Sequence, residues 1–273
     1  MRRVLCLLLV AAALAAAQTA AAQRRVGAVY YDTGGLHDTI PSPLYDDGAY
    51  TPEGRMHWNT ERYAAATGRL AALLDTLAMP IVGLCGVENG QVALDVAGCG
   101  RGDYCVAHRP PGVAEGRDLA LLYHGDRFLP GRVEAGHGWL GVAGMLDGYE
   151  VAVLLFRCPR CMREVVGEWR KRHPGERLLV MGAADGCRSN LCGLQDVLRP
   201  AERRGRGNLC RVGGWLMADR IWADTAWRVV KADVYVPFRR GGAAGELPAH
   251  CDDPRAGRKL PVFVYLDAQN LEK

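Results

Sequence analysis

Residues Pro80 to Val87 read PIVGLCGV, a short apolar run of strand length with no charge in it. Such a run fits a strand buried on both faces, as in the sheets of α/β proteins. Upstream, Tyr63, Ala66, Leu70, Leu73, Leu74 and Leu77 keep helical spacing, and Asn59 or Thr60 stands where a helix cap belongs. Val26 to Tyr31 is a further β-type run. Downstream, Tyr104 to Ala107, Leu119 to Tyr123, Val151 to Phe156 and Leu178 to Met181 are short apolar runs, while Met162 to Lys171 reads as a helix. Trp215 to Trp222, Val229 to Val236 and Leu260 to Leu266 add strands. Many short strands with a few helices between them give an α/β or α+β sandwich of sheets covered by helices. The Gly-, Pro- and Arg-rich stretches 108–117, 200–208 and 239–258 are expected loops.

The chain has 273 residues, 49% hydrophobic and 23% charged, an ordinary globular composition with enough length for a substantial core. Arg2 and Arg3 precede an apolar run from Val4 to Ala17, and small residues continue to Ala22. A positive start, an apolar centre and an Ala-x-Ala end describe a secretory signal peptide. Cleavage after Ala22, with Ala17 as the alternative site, gives a signal over 1–22 and a single domain over 23–273. The apolar segment is short for a span of about 20 residues, and Gln18 and Thr19 break it. The expectation is therefore a periplasmic or extracellular protein with no membrane span after cleavage. Without Arg2 and Arg3 the net charge falls from +4 to +2. So even a balance exerts no global pull on nucleic acid, leaving a weak case for that partner.

Ten cysteines become nine once Cys6 is removed, and in an exported chain they read as disulfides. Spacing suggests Cys99 with Cys105, Cys158 with Cys161, Cys187 with Cys192, and Cys210 with Cys251, leaving Cys85 free. The Cys-Pro-Arg-Cys at 158–161 has redox spacing but no thioredoxin-like context, so a loop staple is the expectation.

Several stretches together resemble the endonuclease/exonuclease/phosphatase family. YTPEGRMHWNTERY (Tyr50 to Tyr63) looks like the segment before its first helix, and IVGLCGVEN (Ile81 to Asn89) like its strand ending in Leu-Cys-Glu-Val-Glu-Asn. GRDLALLYHGDRF (Gly116 to Phe128), LLVMGAADG (Leu178 to Gly186), GWLMADRIW (Gly214 to Trp222) and KLPVFVYLD (Lys259 to Asp267) resemble later motif strands, in the family's order. The resemblance implies a four-layered sandwich: two facing mixed β-sheets flanked by helices. It also implies a site at one end of the sheets, where carboxylates hold a divalent metal and an Asp-oriented His assists.

The positions that match the family's site carry other residues. In VYYDTGGLHD the family's Asn falls on Asp32 and its acid on Gly34. The metal-binding Glu falls on Gly86, and the His of Asn-His-Trp-Pro on Arg157 in LFRCPRC. The Asp and Asn of Gly-Asp-Phe-Asn fall on Ala183 and Asp185, and the terminal Ser-Asp-His on Gly257, Arg258 and Lys259. Asp219 alone keeps its identity. Mg²⁺ prefers hard oxygen ligands, which glycine cannot supply and arginine repels. The expectation is a pseudoenzyme with no cofactor and no catalytic residue. In it, Arg157, Arg258 and Lys259 converge on an anionic ligand, which Arg suits by bidentate pairing, or the old cleft takes a protein partner. A further expectation pairs Lys259 with Asp219, as the family's His pairs with its Asp. The enzyme alternative is a metal-dependent phosphoesterase or nuclease with Mg²⁺ or Mn²⁺ at Asp32, Asp185 and Glu88. Glu88, however, lies about 7 Å along the strand from Gly86.

Overall fold

The computed structural model describes residues 25–110, 115–184, 191–211, 214–237 and 259–268. Strand β1 (Val26–Leu36) leads to helix α1 (Thr60–Leu77), β2 (Ile81–Val87), α2 (Gly90–Cys99), β3 (Tyr104–His108) and β4 (Asp118–His124). Then come β5 (Phe128–Gly136), β6 (Trp139–Leu146), β7 (Tyr149–Phe156), α3 (Met162–Arg172), β8 (Arg177–Ala183), β9 (Gln195–Asp196) and the short α4 (Arg199–Arg203). A small ribbon of β10 (Leu209–Arg211) and β11 (Gly214–Leu216) precedes β12 (Asp219–Ala223), β13 (Trp227–Val234) and β14 (Val262–Ala268).

Two six-stranded mixed sheets form the body, ordered β13-β14-β1-β2-β4-β3 and β5-β6-β7-β8-β12-β9. Each contains one parallel pair, β1 with β2 and β7 with β8, among antiparallel neighbours. In β2 every residue is buried, because alternate side chains serve two cores. Ile81 and Cys85 point into the space between the sheets, against Val142, Val153, Leu155, Met181 and Ile221 of the second sheet. Val82 and Leu84 point outward and pack under Leu70, Leu74 and Leu77 of α1 and Val92 and Val96 of α2. On the far side, Met162, Val166 and Trp169 of α3 cover Leu154, Leu178 and Val180. The result is the four-layered sandwich, helices outside and two facing sheets within. Among the described residues no helix is long and apolar enough to cross a membrane.

Some expectations change. The run from Trp215 to Trp222 is two strands parted at Met217 and Ala218, because β11 pairs with β10 of the small ribbon while β12 pairs with β8, a ladder that the Ala184 amide extends by donating to Ala218 O at 2.8 Å. Part of the 200–208 loop is helical, as α4. Three expected staples are not formed: Cys99, Cys105, Cys158, Cys161 and Cys192 are free thiols. The geometry shows why for two of them. Cys99 Sγ turns back to Thr67 Oγ1 (3.9 Å) on α1, while Cys105 lies against Gly125 on the other side of its strand. Cys161, at the start of α3, donates to His137 O at 3.8 Å. Cys192 donates to Arg163 O at 3.6 Å. Cys210 is disulfide-bonded, and Cys187 and Cys251 lie outside the described residues. Cys85 is a free, buried thiol.

Candidate functional site at the open end of the two sheets

β1 and β2 run parallel with Asp32 opposite Cys85, so the ends of both strands meet at one edge of the sandwich. Past Asp32 the backbone breaks register. Gly34 and Gly35 take φ +77° and +121°, values that glycine adopts without steric cost. The Gly34 amide donates to Asp32 Oδ1 at 3.0 Å, and Thr33 Oγ1 donates to Gly86 O at 2.8 Å. These bonds fold the tip of β1 onto β2. Gly86 itself has φ +78°, and a Cβ placed there meets Thr33 Oγ1 at 3.0 Å and Asp32 Oδ1 at 3.3 Å. The space a glutamate would enter is thus taken up by the Asp32–Thr33 turn.

The second sheet supplies Asp219 at the start of β12, opposite Ala183 of β8. Asp219 is 1% exposed. Its environment is built by Asn208, which is wholly buried. Asn208 Nδ2 donates to Asp219 Oδ2 at 2.7 Å and to Leu260 O at 3.2 Å, while its Oδ1 accepts from the amides of Ala218 (2.8 Å) and Asp219 (3.1 Å). The Leu260 amide bonds back to Asn208 O, and Leu209 bridges to Lys259. One asparagine therefore fixes both the acid and the segment that carries Lys259.

That segment delivers the Lys259 ammonium between the sheets. Its Nζ lies 2.6 Å from Asp219 Oδ1 and 3.0 Å from Asp32 Oδ2. Burial works to discharge the ammonium, but the Asp219 and Asp32 carboxylates outweigh it and hold Lys259 charged well above the usual lysine range. Burial pushes the Asp219 carboxyl up to about 6, against the opposing pull of Lys259. Next to this cluster, Tyr30 Oη donates to Phe156 O across the sheet interface at 3.0 Å, and burial with the neighbouring Cys85 raises its phenol. Burial, followed by the Asp32 carboxylate, pushes the Cys85 thiol up to about 12.

The remaining expected residues separate. Glu88 is buried away from Asp32, accepting from the Asp38 amide at 2.6 Å and from Tyr45 Oη at 2.7 Å. Burial acts against its charge, yet hydrogen bonds from His37, Tyr45 and the Asp38 amide hold its carboxyl below the ordinary value. Arg157, just past β7, pairs with Glu115 at 2.5 Å, so it and Lys259 are engaged by different carboxylates. Asp185 and Arg258 lie outside the described residues. Asn208 escaped the sequence reading, as did the pairing of His108, which matches a family position, with Asp118 at 2.8 Å across β3 and β4.

A divalent ion does not fit the residues described. The position between the two carboxylates is taken by the Lys259 ammonium, Gly86 offers no ligand, and Ala183 is apolar. Among the described residues no group of three His, Cys, Asp or Glu side chains is placed to hold a metal.

Two facing mixed sheets between helices define an α/β sandwich shared with several solved structures. D. rerio TDP2 humanized by 14 mutations is similar with a TM-score of 0.57 and 12% identity, covering 89% of this chain and 99% of that one. A Bacteroides thetaiotaomicron endonuclease/exonuclease/phosphatase family protein gives 0.57 and 14% identity, over 90% and 98% of the two chains. A mannosyl-6-phosphatase from the same organism gives 0.56 and 14%, over 88% and 99%. No curated protein matches the chain. Residues 27–137 match the model of the Endonuclease/Exonuclease/phosphatase family, and the solved structures share the fold over most of the chain.

Proposed function

We propose that the chain is an exported, catalytically inactive member of the endonuclease/exonuclease/phosphatase family that works by binding an anionic ligand or a protein partner through the former cleft. The observation that carries this reading is the Lys259 ammonium lodged between Asp32 and Asp219. Family chemistry needs a Lewis acid to polarise the phosphate and a group that exchanges a proton near neutral pH. An ammonium held charged by two carboxylates does neither, because it has no open coordination position and keeps its proton. Glycine at position 86, glycine at 34 and alanine at 183 leave, among the described residues, no carboxylate set with which to recruit an ion instead. Export rests on the Arg2-Arg3 start and the apolar run to Ala22.

The test is hydrolysis of a phosphodiester and a phosphomonoester by the purified mature protein across Mg²⁺, Mn²⁺, Ca²⁺ and Zn²⁺, with a chelator control. The sugar phosphatase among the structural neighbours makes a sugar phosphate a suitable monoester. The expected result is no turnover with any ion. Chelator-sensitive turnover lost in Asp32→Ala would overturn the proposal and make the chain a phosphoesterase with a rebuilt site.

A further inference from the structure

The Cys-Pro-Arg-Cys segment links the end of β7 to the start of α3, and other bonds hold it in place while its thiols are free. The Arg157 amide donates to Gly138 O at 2.9 Å, and the Met162 amide donates to Pro159 O at 3.3 Å. Met162 itself is buried in the core under α3. Both sulfurs come to one peptide, the link between His137 and Gly138 in the turn from β5 to β6. Cys161 Sγ donates to His137 O at 3.8 Å, and Cys158 Sγ lies 3.5 Å from where a Cβ on Gly138 would stand. Each of the two cysteines is half-buried. The other free thiols described are not so placed: Cys85 is buried, Cys99 and Cys105 turn apart, and Cys192 bonds to Arg163 O.

The two sulfurs are not equivalent. Cys161 packs with Trp139 and Val165 against the α3 core, whereas Cys158 belongs to none of the hydrophobic cores. Burial first, and then the neighbouring Cys158, push the Cys161 thiol up, so Cys161 is the sulfur that keeps its proton. Arg160, exposed between the two in sequence, makes no ion pair among the described residues. A cation near a thiol favours the thiolate, the form that attacks a disulfide. A bridge between the pair would close a ring of four residues. Disulfides stabilise more as the closed loop lengthens, so a bridge this short, over a segment already held by backbone bonds, adds little to the fold. We infer that Cys158 and Cys161 are a reversible dithiol–disulfide couple, a site of thiol–disulfide exchange with a low-molecular-weight disulfide. The Cys158 thiolate attacks one sulfur of that disulfide and expels the other as a thiolate, leaving a mixed disulfide. Cys161 then gives its proton to solvent, attacks Cys158 Sγ and expels the second thiolate. Two protein thiols are thereby oxidised to one disulfide, one external disulfide is reduced to two thiols, and excess external thiol reverses both steps. The inference goes beyond the proposed function and does not rest on it.

The experiment equilibrates the reduced mature protein with glutathione buffers running from fully reduced to fully oxidised. Samples are quenched in acid, alkylated and read by peptide mass spectrometry. The expected result is a Cys158–Cys161 disulfide whose fraction follows the glutathione ratio, with the same curve from the dithiol and from the disulfide side. A bond that stays closed in the most reducing buffer, or thiols that stay open in the most oxidising one, overturns the couple. Cys161→Ser is expected to accumulate a glutathione mixed disulfide on Cys158, a species that the wild type clears. Faster adduct formation on Cys161 in Cys158→Ser than on Cys158 in Cys161→Ser overturns the assignment of the attacking sulfur. Cys192→Ser is expected to leave the wild-type curve unchanged, and a crosslink from Cys192 to either residue overturns the pairing. Circular dichroism confirms that the variants fold, and the wild-type curve stands without them. Turnover in the metal panel decides the proposed function separately.

Discussion

Asn208 grips Asp219 at two points, donating through Nδ2 to the carboxylate at 2.7 Å and accepting through Oδ1 from the residue's own amide at 3.1 Å. Both residues are out of contact with water, so every one of these bonds stands in for solvation that the groups have lost. Replacing Asn208 with Ala strips the amides of Ala218 and Asp219 of an acceptor and Asp219 of a donor. The expected cost is about 3 kcal/mol of unfolding free energy, read from urea denaturation. A loss under about 1 kcal/mol would show that water enters and satisfies the orphaned groups.

The Lys259→Met variant removes one cation from between two acids. Breaking a buried pair on one side costs about 3–5 kcal/mol. The same variant leaves Asp32 and Asp219 facing an uncharged gap, and a divalent ion should now enter it. Electron paramagnetic resonance of added Mn²⁺ is expected to show binding in Lys259→Met, none in the wild type, and loss again in the double variant with Asp219→Asn. Wild-type binding as tight as that of the variant would contradict the assigned role of the ammonium.

The Asp219 carboxyl, raised to about 6 by burial against Lys259's opposing pull, holds its proton more firmly in the folded state than in the unfolded chain. A group shifted upward is most favourable to folding below its unfolded value, and that benefit is lost as pH rises through the folded value. The unfolding free energy of the wild type minus that of Asp219→Asn should therefore fall between pH 4 and pH 6. A difference that climbs over this interval would mean that Lys259 outweighs burial at this carboxyl.

Arg220 of β12 is 3% exposed and meets Asp196 and Glu202, each at 2.6 Å. Burial pushes the Asp196 carboxyl up even though Arg220 pulls it down. Arg220→Ala leaves two acids facing each other without their cation, with an expected loss of about 3–5 kcal/mol. Arg220→Lys should recover only part of it, because a single ammonium cannot fork to two carboxylates as a guanidinium does. Thermal unfolding of the two variants side by side checks both statements.

The strands that serve two cores were the most legible part of the sequence. Ile81 to Val87 is apolar on both faces because both faces are covered, and α1 begins where Asn59 caps it, its Oδ1 accepting from the Arg62 amide at 3.0 Å. Helix α2 was missed although Asn89 caps it in the same way, through the Val92 amide. Gly90 opens that helix and Gly98 sits near its end, and both dilute the helical pattern. The β5–β6 hairpin was missed because Gly131, Gly136, Gly138, Gly141 and Gly144 interrupt its alternation; at Gly141 the ring of Trp169 lies where a side chain would be. At the site, motif order located Asp32, Asp219 and Lys259. Asn208 was invisible because its role is tertiary: it comes from a loop with no pattern and acts on residues 10 and 52 positions away.

A cation carried on a side chain behaves unlike one drawn from solution. A dissolved ion stabilises a fold by an amount that grows with its concentration relative to its dissociation constant. The Lys259 ammonium has no such concentration: it arrives with the chain, at fixed stoichiometry, and dilution or sequestration cannot strip it away. The charge balance between the two sheets is therefore set at synthesis, and this corner of the molecule keeps the same footing in ion-poor and ion-rich surroundings.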